Sequence, residues 1–112
     1  TLAYEFGSQA DAEARAWSRR IAAFDQNPYE LPSHALDALR VGEADAALVS
    51  ATDARLYLRE YPDWAASYAY VTSSYYVMAV RADHEAMLYV VNEAILDMID
   101  DGTLDEILDR WL

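Results

Sequence analysis

The sequence contains no cysteine, which excludes a disulfide framework and a thiolate-ligated metal site. Lysine is absent too: the eight basic residues are all arginine, against twenty acidic residues and a formal charge of −12. Capture of nucleic acid phosphates needs clustered Lys and Arg. No basic patch exists along this chain, so nucleic acid is not an expected partner. No apolar run approaches the roughly 18 residues that a membrane span needs, and the longest candidate, residues 68–80, is interrupted by Thr72, Ser73 and Ser74. Repeats and low-complexity segments are missing. So is the charged n-region of a signal peptide, because residues 1–4 already have the pattern of a strand; a mature protein or an excised piece is the expectation. The two histidines, His34 and His84, are far apart and have no carboxylate at metal-ligand spacing. Ser50 lacks the glycine-elbow context of a nucleophile. No catalytic residue, metal or cofactor is expected.

What the chain does have is core material: 54% of its 112 residues are hydrophobic, enough for one domain with a real core. Residues 35–50 organise it. Leu36, Leu39 and Val41 have helical spacing, Gly42 falls where a left-handed C-cap belongs, and residues 46–49 form a short apolar burst. Such a burst without polar alternation predicts a strand covered on both faces, as in a parallel sheet with crossover helices. The expected fold class is α/β, a three-layer, mostly parallel sheet flanked by helices.

In chain order, residues 1–6 predict a strand with Leu2, Tyr4 and Phe6 on one side, Gly7-Ser8 a tight turn, and residues 10–23 a helix. Ser8 followed by Asp11 has the spacing of a capping box, and a helix start of this kind presents backbone N–H groups that attract anions. Residues 22–25 carry a weak strand signal and residues 26–32 loop chemistry, after which Ser33 is the expected cap of the next helix. Residues 50–53 form a polar loop at the carboxyl end of a strand, where ligands sit in open α/β sheets. A helix follows from about residue 54 and stops before Pro62. Residues 68–71 and 75–80 predict two more strands. The tyrosines between 68 and 76 suit either core packing or the cover of an organic ligand. A helix over residues 84–99 follows, then a last helix opened by a Thr103–Glu106 capping box, with Leu104, Ile107, Leu108 and Trp111 as its apolar stripe. Asp97, Asp100 and Asp101 are read as solvated carboxylates at a helix end.

Four stretches together resemble one family: residues 39–48 (Leu-Arg-Val-Gly-Glu-Ala-Asp-Ala-Ala-Leu), residues 76–81 (Tyr-Val-Met-Ala-Val-Arg), residues 92–95 (Asn-Glu-Ala-Ile), and residues 101–107 (Asp-Gly-Thr-Leu-Asp-Glu-Ile) with Trp111. In order and spacing the chain resembles the family 3 extracellular solute-binding proteins, periplasmic receptors that deliver amino acids and similar polar solutes to ABC transporters. Gly7-Ser8 also falls where that family carries its Gly-Thr turn. The resemblance implies a type II clamshell: residues 1–72 as the second, inserted lobe, 73–82 as the returning hinge strand, and 83–112 as C-terminal helices that normally pack on a first lobe outside this sequence. It implies a ligand-binding set of Ser8, Gln9, Ser50 and Asp53. Ser8 and the N–H of Gln9 match the turn that binds the ligand's carboxylate. Ser50 stands where amino-acid binders place an aspartate for the α-ammonium, with Asp53 one helical turn further on, so an ordinary α-amino acid held in the usual way is not the expected ligand.

The expected function is therefore a solute-binding module of an ABC-type uptake or sensing system. It would be periplasmic or extracellular by resemblance, with a small polar solute and a membrane permease as partners. One alternative is a dehydratase-like enzyme on the same scaffold, which would need His34 or His84 at the carboxyl edge of the sheet. The other is a degenerate lobe used in assembly, including a homodimer through the C-terminal helices, whose apolar faces would lack their usual cover.

Overall fold

A computed structural model of the chain describes all 112 residues. The chain divides into two compact units, Thr1–Tyr68 and Ala69–Leu112.

The first unit is α/β. Its elements are β1 (Leu2–Glu5), α1 (Gln9–Trp17), β2 (Gln26–Tyr29), α2 (Pro32–Val41), β3 (Ala46–Leu48) and α3 (Ala51–Glu60). The three strands form one parallel sheet in the order β2-β1-β3. Leu2 is paired with both Gln26 and Ala46, and Tyr4 with both Pro28 and Leu48. The connection from β1 to β2 steps one way along the sheet, and the connection from β2 to β3 steps back over β1. Right-handed crossovers then place α1 and α2 on opposite faces, giving three layers around the central strand.

Small side chains let α2 approach the sheet closely. Ala3 from β1, Ala35 and Ala38 from α2, and Ala44 form the buried cluster, with Tyr29, Ala47 and Val49 packed against it. Each buried alanine methyl contributes only about 0.8 kcal/mol, so this layer gains more from close approach than from bulk. Larger buried groups lie outside the cluster, at Tyr4, Leu36 and Tyr57. Helix α2 stops at Gly42, whose φ of 83° is left-handed and whose N–H turns back to Ala38 and Leu39. The N–H groups of Glu43 and Ala44 both donate to the Ala38 carbonyl, at 2.8 and 3.1 Å. This tight exit aims the chain straight into β3.

Several local expectations are corrected. The second strand is residues 26–29 rather than 22–25, so the segment with loop chemistry is the strand; β2 lies at the sheet edge, where Pro28 removes no ladder hydrogen bond. Helix α2 begins with Leu31 as N-cap and Pro32 in its first turn, not with a Ser33 cap, because proline's missing N–H costs nothing there. Helix α1 ends at Trp17 rather than near residue 23; Ser18 Oγ donates to the Arg15 carbonyl at 2.9 Å, an alternative to continuing the helix. Helix α3 starts at Ala51, three residues early, because Ser50 caps it. Strand β3 is an edge strand with Ala46 exposed and Ala47 and Leu48 half-buried, so it is not covered on both faces.

The second unit holds α4 (Glu85–Asp100) and α5 (Thr103–Trp111), packed on one another. Residues 75–80 form no strand; Tyr75, Tyr76 and Val77 are almost wholly exposed and Val80 is half-buried, and residues 68–71 also lie outside the sheet. Gly102, at φ 82°, is the N-cap of α5, and the Asp101 carboxylate accepts the Thr103 N–H at 2.8 Å. That bond replaces the expected Thr103 cap. Val91, Ile95 and Met98 of α4 and Leu104 of α5 are half-buried, and no residue of this unit is fully buried. No helix is long and apolar enough to cross a membrane.

Candidate functional site

Three parallel strands end at one edge, and each is followed by a helix that starts there. The helices that follow β1 and β3 leave toward opposite faces of the sheet, because α3 packs on α2, across the sheet from α1. In open α/β sheets such a switch point opens the crevice in which ligands bind. Gly7-Ser8 follows β1 and Ser50 follows β3, and hydrogen-bonded strands lie only about 4.8 Å apart. The topology thus brings Ser8, Gln9, Ser50 and Asp53 to adjoining positions at the switch point.

Both helix starts there are built alike, from Ser-x-x-Asp. In the first, Ser8 Oγ donates to the Glu5 carbonyl at 2.7 Å and accepts from the Asp11 N–H at 3.3 Å. The Asp11 carboxylate reaches back to accept the Gly7 N–H at 2.9 Å. In the second, Ser50 Oγ accepts the Asp53 N–H at 3.0 Å and donates to Asp53 Oδ2 at 2.5 Å. Each serine hydroxyl is therefore already engaged as donor and acceptor within its cap. What the first turn of α1 still presents is the backbone N–H of Gln9 and of Ala10, which have no partner in the chain and point out of the helix.

The two carboxylates differ. Asp11 is the one buried polar residue, 5% exposed. Arg15 Nε and Nη2 bond it at 2.5 and 2.9 Å, one helical turn on. The arginine first, and the Gly7 N–H second, hold its carboxyl below the usual aspartate range. Arg15 in turn lies 5.9 Å from the centre of the exposed Phe6 ring. Asp53 is half-buried, and an acceptor at the start of α3 complements its dipole. The Asp11–Arg15 brace is the feature of the site that motif reading missed, although its four-residue helical spacing is visible in the sequence.

The α2–α3 packing holds a second cluster. Tyr57, 5% exposed, donates its hydroxyl to Asp37 Oδ1 and accepts from Arg40 Nε at 2.8 Å. Arg40 Nη2 reaches Asp37 Oδ1 at 3.0 Å, and its guanidinium lies 4.5 Å from the centre of the Tyr61 ring. The Tyr57 ring also packs tilted against Tyr61 and edge-to-face against Trp64, at 4.6 and 5.7 Å between ring centres. Bonds from Tyr57, then Arg40, hold the Asp37 carboxyl low, whereas burial pushes the Tyr57 hydroxyl up. A surface depression of about 390 Å³ beside it is lined by Arg40, Glu60, Tyr61, Pro62, Asp63 and Trp64. It lies where α2 and α3 end, away from the carboxyl edge. Arg40 is committed to Tyr57, Asp37 and Tyr61, so the cluster serves as a brace between helices.

His34 lies in the first turn of α2 and is exposed, and His84 is the N-cap of α4. No group of three or more histidine or carboxylate side chains is placed to hold a metal ion. Tyr68, Tyr70, Tyr75 and Tyr76 are each more than half exposed and contribute to no core. Comparisons with protein-family models, with curated proteins and with solved structures find no match to this chain.

Proposed function

We propose that the Thr1–Tyr68 unit is one lobe of a type II periplasmic-binding-protein-like clamshell, a receptor module that holds a small polar solute for an ABC-type uptake or sensing system outside the cytoplasmic membrane. The observation that carries this reading is the β2-β1-β3 order, whose switch point coincides with both Ser-x-x-Asp helix starts. Gln9 and Ala10 offer backbone donors to an acidic or hydroxyl oxygen of the solute. Asp53 supplies the negative group one strand over, for an ammonium or a hydroxyl. Ser8 and Ser50 act through the caps that fix these groups. No cofactor enters, and the membrane permease is the macromolecular partner.

Thermal unfolding in the presence of amino acids, polyamines and small organic acids tests this reading. A solute at about 100 times its dissociation constant adds roughly 2.7 kcal/mol to stability, which raises the midpoint of a unit this size by on the order of 10 °C. Stabilisation by one solute class, lost in Asp53→Asn, supports the reading. A midpoint that no small polar solute moves counts against it.

A second reading, a dehydratase-like enzyme, draws on His34, which the path of α2 places at the same edge. Turnover of a cyclic acid that is lost in His34→Asn would favour it. Binding of such an acid without turnover favours the receptor.

A further inference from the structure

Two parts of this chain present complementary main-chain groups. β3 is an edge strand, paired on one side with β1 and on the other with no strand. The Ala46 N–H donates inward to the Thr1 carbonyl at 3.3 Å. Residues of a parallel strand alternate in the neighbour they address, so Ala46 and Leu48 bond toward β1, and the N–H and C=O of Ala47 point off the open edge. Residues 75–80, Tyr-Tyr-Val-Met-Ala-Val, combine aromatic and β-branched side chains suited to a strand yet lie in none. Tyr75, Tyr76 and Val77 are 89%, 88% and 84% exposed. An exposed segment of this composition and an open edge are the two halves of a strand-addition contact.

Charge indicates what occupies the edge. The chain carries −12, so most of its surface repels another copy of itself; residues 65–80 and 46–52, however, contain no charged side chain. The apolar flanks of α4 and α5 are less suited to self-contact, because residues 69–112 carry nine acidic residues and two arginines. From this we infer that residues 75–80 of one copy add as a strand to the outer edge of β3 in a second copy. The main chain supplies the hydrogen bonds, and side chains on alternate positions cover the half-buried end of the sheet.

Sedimentation velocity of the full chain over a wide range of concentration tests the inference. The wild-type mass is expected to rise from that of one chain to that of two or more. Ala47→Pro removes the outward N–H at an edge position that accepts proline and is expected to stay at the mass of one chain, as is Val77→Pro. Val90→Lys, on the exposed flank of α4, is expected to associate like the wild type. A wild-type mass that never exceeds one chain overturns the inference. So does an Ala47→Pro variant that associates fully, or association abolished by Val90→Lys alone. If Ala47→Pro loses its circular dichroism, hydrogen exchange of the wild type decides: protection at Ala47 and residues 77–79 that grows with concentration supports the contact, and protection independent of concentration overturns it.

Discussion

In Thr1–Tyr68 the apolar positions of β1, α1, α2 and α3 end in burial at Ala3, Tyr4, Ala14, Leu36 and Tyr57, whereas in Ala69–Leu112 no position does. The difference is not one of pattern. α4 carries Val91, Ile95 and Met98 on one face as clearly as α2 carries its own stripe, but within its unit the one helix that packs against it is the nine-residue α5. Met87, Val90 and Ile99 stay more than half exposed. An amphipathic period says which face of a helix wants cover; what covers it is decided by the next element, and in the second unit there is only one. Polar groups divide the same way. The first unit's caps and ion pairs are interlocked, as in Gly7–Asp11–Arg15 and Asp37–Arg40–Tyr57, while the second unit's Arg81–Asp83 pair is exposed on both sides and contributes little.

The largest difference between the units is expected when a leucine is truncated in each. Leu36→Ala, at a position 6% exposed, is expected to cost about 2–5 kcal/mol in urea unfolding. Leu88→Ala, at a position 44% exposed, is expected to cost less than about 1 kcal/mol. Equal costs would mean that α4 is as well covered as α2. A smaller effect is expected with acid. Asp11 and Asp37 have folded pKa values below their unfolded ones, held there chiefly by Arg15 and by Tyr57 respectively. Such groups contribute their full stability above the unfolded aspartate pKa near 4, and lose it as pH falls through that value toward the folded pKa. Unfolding of the first unit, followed by the fluorescence of Trp17 and Trp64, should therefore become easier below about pH 4. Asp11→Asn should lower stability at neutral pH and flatten the acid dependence; an unchanged slope would contradict the role given to the brace.

Much of the first unit was legible in the sequence because its signals are local. Gly42 marks a left-handed turn, residues 1–6 and 46–49 mark two strands, and Ser8-x-x-Asp11 marks a cap. β2 was hidden by Pro28, a residue that disqualifies a central strand but not an edge one. Residues 68–71 and 75–80 carry strong strand composition and form no strand, since that composition measures fit to a pleated, half-buried surface rather than a backbone preference. Of the site, the Ser50-x-x-Asp53 start of α3 has the spacing of the first cap, yet the polar loop signal pushed the expected helix start to residue 54. The Asp37–Arg40–Tyr57 cluster was beyond sequence reading, because it depends on how α3 lies on α2, with Tyr57 twenty residues from Asp37. The proposed type II lobe and its solute rest on resemblance and on the position of the switch point, and the proposed permease on resemblance alone.

Amide chemical shifts of the full chain, followed during titration with the solute that most raises the unfolding midpoint, locate the bound solute residue by residue. With the solute at the switch point, the amides of Gly7, Gln9, Ala10, Ala51 and Asp53 are expected to move together and saturably, while those of α4 and α5 stay still. Saturable shifts confined to Arg40, Tyr61 and Trp64, or to the second unit, would contradict that placement.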